Sequence, residues 1–253
     1  MIRIGTSGWV YPHWAGRFYP SDLHEHDWLA YYAQHFSTVE INRSFYRLPT
    51  YEQFQAWARK TVSNSGFLFA VKASRYITHI QKLINPQEAI ARLTASASGL
   101  GEHLGPFLYQ LPPNWRANPQ RLEQFIKLLP HAQRVTFELR DPSWYRPETF
   151  SILRQTLNDA GCAMVTAIGG ACPTPLEMPF IGPFRYLRFH HGLHGIGFTD
   201  DELAFWVKRL HGDIDDGYDI YVYFNNDAEG HAIQDALRFR EVWEEVTSKN
   251  PHK

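Results

Sequence analysis

Residues 134–140 read Arg134-Val135-Thr136-Phe137-Glu138-Leu139-Arg140, an alternation that puts Val135, Phe137 and Leu139 on one face and Thr136, Glu138 and Arg140 on the other. Seven more short β-rich runs recur along the chain: Arg3 to Ser7, Thr38 to Asn42, Phe67 to Lys72, Pro106 to Gln110, Cys162 to Thr166, Phe184 to His190 and Asp219 to Phe224. Helical stretches lie between most of them, which is the pattern of βα units around a parallel sheet. Eight such units predict an α/β fold, a single (β/α)8 TIM-type barrel, with the apolar strand faces packed outward against helices and the polar faces turned in. An open doubly wound sheet normally uses fewer strands and leaves edges exposed.

Pro86, Pro119 and Pro147, each suited to a first helical turn, and Asp200 near a cap position mark helix starts. The stretch Gly169 to Pro183 carries glycines and four prolines where a sixth helix would stand, so the sixth βα unit is expected to be irregular. Residues 1–247 are read as one barrel domain and 248–253 as a disordered tail.

Of the 253 residues 44% are apolar and 15% aromatic, ample for a sizeable core. Lys plus Arg number 25 against 26 Asp plus Glu, so there is no global basic excess of the kind that marks a nucleic-acid or anionic-membrane binder. Any affinity for anions must be local. Cys162 and Cys172 form no CxxC pair and no zinc spacing. The first residues begin at once as a strand, and no apolar run reaches the roughly 20 residues that span a bilayer. A cytoplasmic protein without a membrane partner is expected.

Alternation turns Thr38, Glu40 and Asn42 inward, with Lys72, Gln110, Thr136, Glu138 and Arg140. From the seventh strand come Tyr186, Arg188 and His190, and from the eighth Tyr221, Tyr223 and Asn225. Arg3, inward on the first strand, lies at the opposite end and is read as structural. Four inward cations, Arg3, Lys72, Arg140 and Arg188, face only Glu40 and Glu138. The surplus asks for an anionic ligand or water. Active sites of this fold lie at the carboxyl ends of the strands, where most of these polar residues fall.

The same residues sit in longer motifs: GTSGWVYPHWAGRFYP (Gly5 to Pro20), TVEINRSFYRLP (Thr38 to Pro49), FAVKASRYITH (Phe69 to His79), LGPFLYQLPP (Leu104 to Pro113), FELRDPSW (Phe137 to Trp144), Arg188 to Gly192, and VYFNND (Val222 to Asp227). Through them the chain closely resembles the YecE-like family, domain of unknown function 72. That resemblance implies a barrel of this class and no settled activity, with a distant likeness to endonuclease IV-like barrels. It often includes an acidic residue after the sixth strand, where this chain reads Thr166-Ala-Ile-Gly-Gly170.

Glu40 and Glu138, three strands apart, could face one another as general acid and base, or each could neutralise a barrel cation. Lys72, Arg75 and His79 offer three potential cations after the third strand, suited to phosphate or carboxylate. A desolvated Lys72 could instead be a Schiff-base nucleophile. His190 is a base, a metal ligand or a hydrogen-bonded structural histidine. No HxH, HExxH or dense Asp/His spacing supports a full metal site, no motif names a cofactor, and the oligomeric state is left open.

Aromatics crowd the strand-end loops, among them Trp9, Tyr11, Trp14, Phe45, Tyr46 and Trp144. They either stack on bases or sugars or form a hydrophobic lid. The resulting expectation is a hydrolase or lyase acting on an anionic small molecule, a phosphorylated sugar or a nucleotide-like compound. Glu40, Glu138 and His190 are its catalytic candidates. Asn42, Lys72, Arg75, His79, Gln110, Arg140, Trp144, Arg188, Tyr223, Asn225 and Asn226 are its substrate-binding candidates. The alternative is a nucleic-acid-binding protein without a full metal site.

Overall fold

The computed structural model describes residues 1–249. Eight parallel strands follow the chain: β1 Ile2–Thr6, β2 Thr38–Ile41, β3 Leu68–Lys72, β4 Leu104–Gln110, β5 Val135–Glu138, β6 Ala163–Ile168, β7 Phe184–Phe189 and β8 Asp219–Phe224. Each pairs with its sequence neighbour from β2 to β8, and β8 pairs with β1 from Ile2↔Ile220 to Thr6↔Phe224. The last seam, between β1 and β2, is held by the parallel bridge Ser7↔Glu40. Gly5 makes that seam possible. A Cβ there would lie 2.0 Å from the Thr38 carbonyl oxygen, so any side chain would push β2 away.

The helices are α1 Trp28–His35, the single turn α2 Arg43–Tyr46, α3 Tyr51–Lys60, α4 Gln87–Ala97, α5 Pro119–Ile126, α6 Pro147–Asp159, α7 Asp200–Asp215 and α8 His231–Lys249. Capping boxes start two of them, Thr50 with Gln53 on α3 and Thr199 with Glu202 on α7. No helix separates β6 from β7, so the Gly/Pro-rich stretch crosses as a loop, as its sequence implies. α8 runs through Ser248 to Lys249, past residue 247 where the sequence reading ends the barrel. The rest of the expected tail, residues 250–253, lies outside the described residues. Among the described residues no helix is long and apolar enough to cross a membrane.

Two apolar layers follow from the strand alternation. Outward residues such as Val39, Val71, Phe107, Phe137 and Leu187 join the helices in the main core. Inside the barrel Ala70, Leu108, Ala163, Val165, Phe184, Tyr186, Tyr221 and Tyr223 form a separate buried plug, which fills the interior below the polar carboxyl ends. Arg3 stands at the amino end, where its Nη1 meets Met1 Sδ at 2.8 Å.

Candidate functional site

The polar layer above the plug is organised by Arg188. Its guanidinium is fully buried and donates through Nη2 to Glu40 Oε1 at 2.8 Å and through Nη1 to Glu138 Oε2 at 2.5 Å. Glu40 also accepts from Ser7 Oγ at 2.8 Å and from the Tyr186 hydroxyl at 2.6 Å. Glu138 accepts from Arg140 Nε at 2.6 Å. Burial alone would raise both carboxyl pKa values. Arg188, together with Lys72 and the Tyr186 and Ser7 hydroxyls at Glu40, outweighs burial and lowers that one. Arg188, His190 and Arg140 take Glu138 well below the ordinary range. Both are carboxylates at neutral pH, enclosed in hydrogen bonds, and form the floor of the site.

A cavity of about 790 Å³ opens over this floor, lined by Tyr11, Asn42, Phe45, Tyr46, Lys72, Arg75, His79, Ile80, Gln110, Arg140 and Asn225. These residues come from the carboxyl ends of six strands or the loops that follow them. Three of the lining side chains are cationic and none is acidic. Register explains the layering: Glu40 pairs with Ala70, so Lys72 stands one inward position nearer the mouth than Glu40. Another cavity, of about 520 Å³ between α5 and α6, is lined by Val135 at the start of β5 and Cys162 just before β6, the end this fold does not use for chemistry.

Lys72 is 8% exposed and its Nζ lies 4.3 Å from the centre of the Phe45 ring. Burial and the nearby Arg188 lower its pKa to about 8, against the pull of Glu40 and Glu138. Phe45 is set in place by the one-turn α2. There the Ser44 hydroxyl reaches the backbone carbonyls of Ile41 at 3.0 Å and Lys72 at 2.6 Å, clamping the ends of β2 and β3 together.

His79 packs edge-on against Phe45 with ring centres 5.0 Å apart, and its Nδ1 is 2.8 Å from Thr78 Oγ1. Burial, then Lys72, Arg140 and Arg75, depress its pKa to about 4. It is therefore a neutral imidazole at neutral pH, which removes it from the cations expected after the third strand. The segment carrying it is a π-helical turn, Tyr76–Ile80, followed by Lys82, Leu83 and Asn85 with φ of 46°, 66° and 46°. Left-handed backbone at three such residues is strain of a kind that clusters at functional sites.

His190 accepts from Asn225 Nδ2 through Nδ1 at 3.2 Å, which assigns the ring proton to Nε2, 3.5 Å from Glu138 Oε1. Burial lowers its pKa and Glu138 opposes the fall. Gln110 Oε1 accepts a longer bond from Arg188 at 3.3 Å, and Asn42 Nδ2 donates to the Ser7 carbonyl at 3.2 Å, while its buried Oδ1 has no partner among the described residues.

The structure thus brings Asn42, Lys72, Arg75, His79, Gln110, Arg140 and Asn225 to one cavity, with Glu40, Glu138, Arg188 and His190 beneath or beside it. It does not bring three other candidates there. Trp144 is fully buried in the main core. Tyr223 belongs to the interior plug, where its hydroxyl meets Thr38 Oγ1 at 2.6 Å. Asn226, one residue past inward-facing Asn225, turns the other way and donates to Asp235 on α8 at 2.7 Å. The cation count changes too: with Arg3 at the far end, three inner cations meet two carboxylates, and Arg75 at the rim restores the second surplus charge.

Of the strand-end aromatics expected either to stack on a ligand or to form a lid, Tyr11, Phe45 and Tyr46 line the cavity, and Ile80 joins them from outside that set. Their place in the first residues after β1, β2 and β3 was the available signal. Among the described residues no group of three or more His, Cys, Asp and Glu is placed to hold a metal ion.

The family described as "Protein of unknown function DUF72" matches residues 3–253. The UPF0759 protein YecE of Escherichia coli O157:H7 is 28% identical over 169 residues, covering 65% of this chain and 58% of that protein. The match therefore spans less than two thirds of the relative's length. The UPF0759 protein YunF of Bacillus subtilis is 24% identical over 96% of this chain and 94% of its own. Among solved structures, a DUF72 family protein of Thermotoga maritima superimposes with a TM-score of 0.81 at 26% identity, covering 96% of this chain and 99% of that one. A DUF72 family protein of Enterococcus faecalis does so with a TM-score of 0.82 at 20% identity, covering 96% of each.

Proposed function

The chain belongs to the DUF72 family, and because that description names no reaction, we propose a function from the site itself: an enzyme site of hydrolase or lyase type for a small anionic substrate, a phosphorylated sugar or nucleotide-like molecule. The observation that carries this reading is the lining of the 790 Å³ cavity, with Lys72, Arg75 and Arg140 and no acidic side chain. A space of that size suits a small organic ligand. Lys72 and Arg140 are already partly desolvated, so an anion between them is attracted more strongly than it would be at an open surface.

Within this reading Lys72, Arg75 and Arg140 hold the anion, and Asn42, Gln110 and Asn225 orient the neutral part. Glu40 and Glu138 act as fixed counter-ions of Arg188. Their depressed pKa values leave them no proton to donate at neutral pH, so a general-acid role passes to another group. A thermal-shift panel of phosphorylated sugars and nucleotides, at constant ionic strength, tests the proposal. Stabilisation by at least one of them is expected; a flat panel removes it.

The exposed rings of Tyr46 in the cavity lining and of Tyr76 on the turn that carries His79, 73% and 48% accessible, favour a second reading in which bases of a single-stranded nucleic acid stack there. A gel shift that weakens as salt rises would support it. Absence of binding at low salt would eliminate it.

A further inference from the structure

We propose that Lys72 is a reactive amine that forms an imine with a carbonyl group on the anionic substrate, which narrows the substrate class to anionic aldehydes and ketones. The proposal rests on the anion-binding reading of the same cavity. A lysine kept for structure normally ends on a carboxylate. Lys72 does not: among the described residues its Nζ donates no hydrogen bond and makes no ion pair, and it stands 4.3 Å from the centre of the Phe45 ring. Glu40 and Glu138 already hold Arg188, Arg140, Ser7 and Tyr186 at 2.5–2.8 Å. The amine is thus held at the cavity wall, largely shielded from water, with its lone pair uncommitted once the proton leaves.

The surroundings suit the chemistry. Arg140 and Arg75 in the same lining can fix a carboxylate or phosphate while the carbonyl carbon approaches Nζ. A pKa near 8 leaves roughly two- to three-hundredfold more free amine at neutral pH than an ordinary surface lysine has. In the reaction the nitrogen lone pair attacks the carbonyl carbon, and the C=O electron pair moves to oxygen. A proton passes from nitrogen to that oxygen, giving a carbinolamine. Protonation of its hydroxyl then lets it leave as water while C=N forms. Neutral His79, lining the same cavity, is the group able to relay those protons. The protonated imine is an electron sink, as a lyase requires.

Reductive trapping decides the matter. The protein is incubated at pH 7 with glyoxylate and cyanoborohydride, with and without sulfate, and the modified residue is located by peptide mapping. Propionaldehyde serves as the neutral control. The expected result is one carboxymethyl group on Lys72, formed about tenfold faster than on exposed Lys127, lost with propionaldehyde and suppressed by sulfate. The exposed N-terminal amine is an internal standard that sulfate should not protect. Lys72→Arg should lose the adduct, and if that variant does not fold, sulfate protection in the wild type carries the test. Adducts confined to surface amines, with sulfate still stabilising the protein, overturn the imine and leave the anion site. Loss of sulfate binding itself overturns both.

Discussion

Arg188 and Glu138 form a fully buried ion pair at 2.5 Å across the barrel interior, while the other terminal nitrogen of the same guanidinium holds Glu40 at 2.8 Å. Removing one partner of such a pair leaves an uncompensated buried charge. Glu138→Gln should therefore cost about 3 to 5 kcal/mol of stability in urea unfolding, with sulfate binding retained because the cations of the lining are intact. Unchanged stability would mean that Glu138 is not a structural counter-ion.

Acid should unfold the protein in two overlapping stages. His79 has a folded pKa depressed to about 4 from 6.5, so the unfolded chain takes up its proton first and stability falls as pH drops between those values. Glu40 and Glu138 are also depressed in the folded state. Their contribution is complete above the unfolded carboxylate range and is lost as pH falls through the folded values. Urea midpoints at pH 7, 5.5 and 4 should fall in that order, and His79→Gln should flatten the stage nearest neutrality. A midpoint that rises on acidification would show the sign to be wrong.

Lys72 titrates in the opposite sense for ligand binding. Its folded pKa of about 8 means that the ammonium is lost as pH rises through that value. Sulfate remains a dianion throughout, so its affinity should fall between pH 7 and 9. Calorimetry near pH 8 in buffers of different ionisation enthalpy should show proton uptake on binding. Lys72→Arg keeps its charge over this range and should abolish both the pH step and the proton uptake.

Gly5→Ala addresses the barrel seam. The new methyl would start 2.0 Å from the Thr38 carbonyl, and because that neighbour is backbone, β2 itself must move. A loss of about 3 kcal/mol or more is expected, measurable by urea unfolding. A neutral substitution would show that β1 and β2 are not tightly joined.

The strand positions were legible in the sequence because buried parallel strands leave short apolar runs, and the barrel's polar interior adds an alternation to them. The run read as Arg134 to Arg140 is paired from Val135 to Glu138, a trimming of the ends only. Alternation also gave the inward face of Glu40, Lys72, Glu138 and Arg188. It could not give their depth. Which inward layer a side chain occupies depends on register between strands, and that register makes Glu40 floor and Lys72 wall. Nor could it give the partners of Arg188, which lie 148 and 50 residues away in the chain. Trp144 was misplaced for a related reason: a ring in a strand-end loop can turn into the core, and Trp144 does. The neutrality of His79 depends on burial and on three cations gathered from the end of β3 and the loops after β3 and β5, which no local pattern displays.

The proposed function requires that the cavity bind anions through its cations. Isothermal titration of sulfate at constant ionic strength into the wild type and into Lys72→Gln/Arg75→Gln measures this directly. Arg75 is exposed and among the described residues Lys72 forms no ion pair within contact distance, so the double variant should remain folded. Saturable binding of one sulfate by the wild type and a weakening of about tenfold or more in the variant, equivalent to about 1.4 kcal/mol, is the expected result. Equal binding by the two proteins, or none by the wild type, would contradict it.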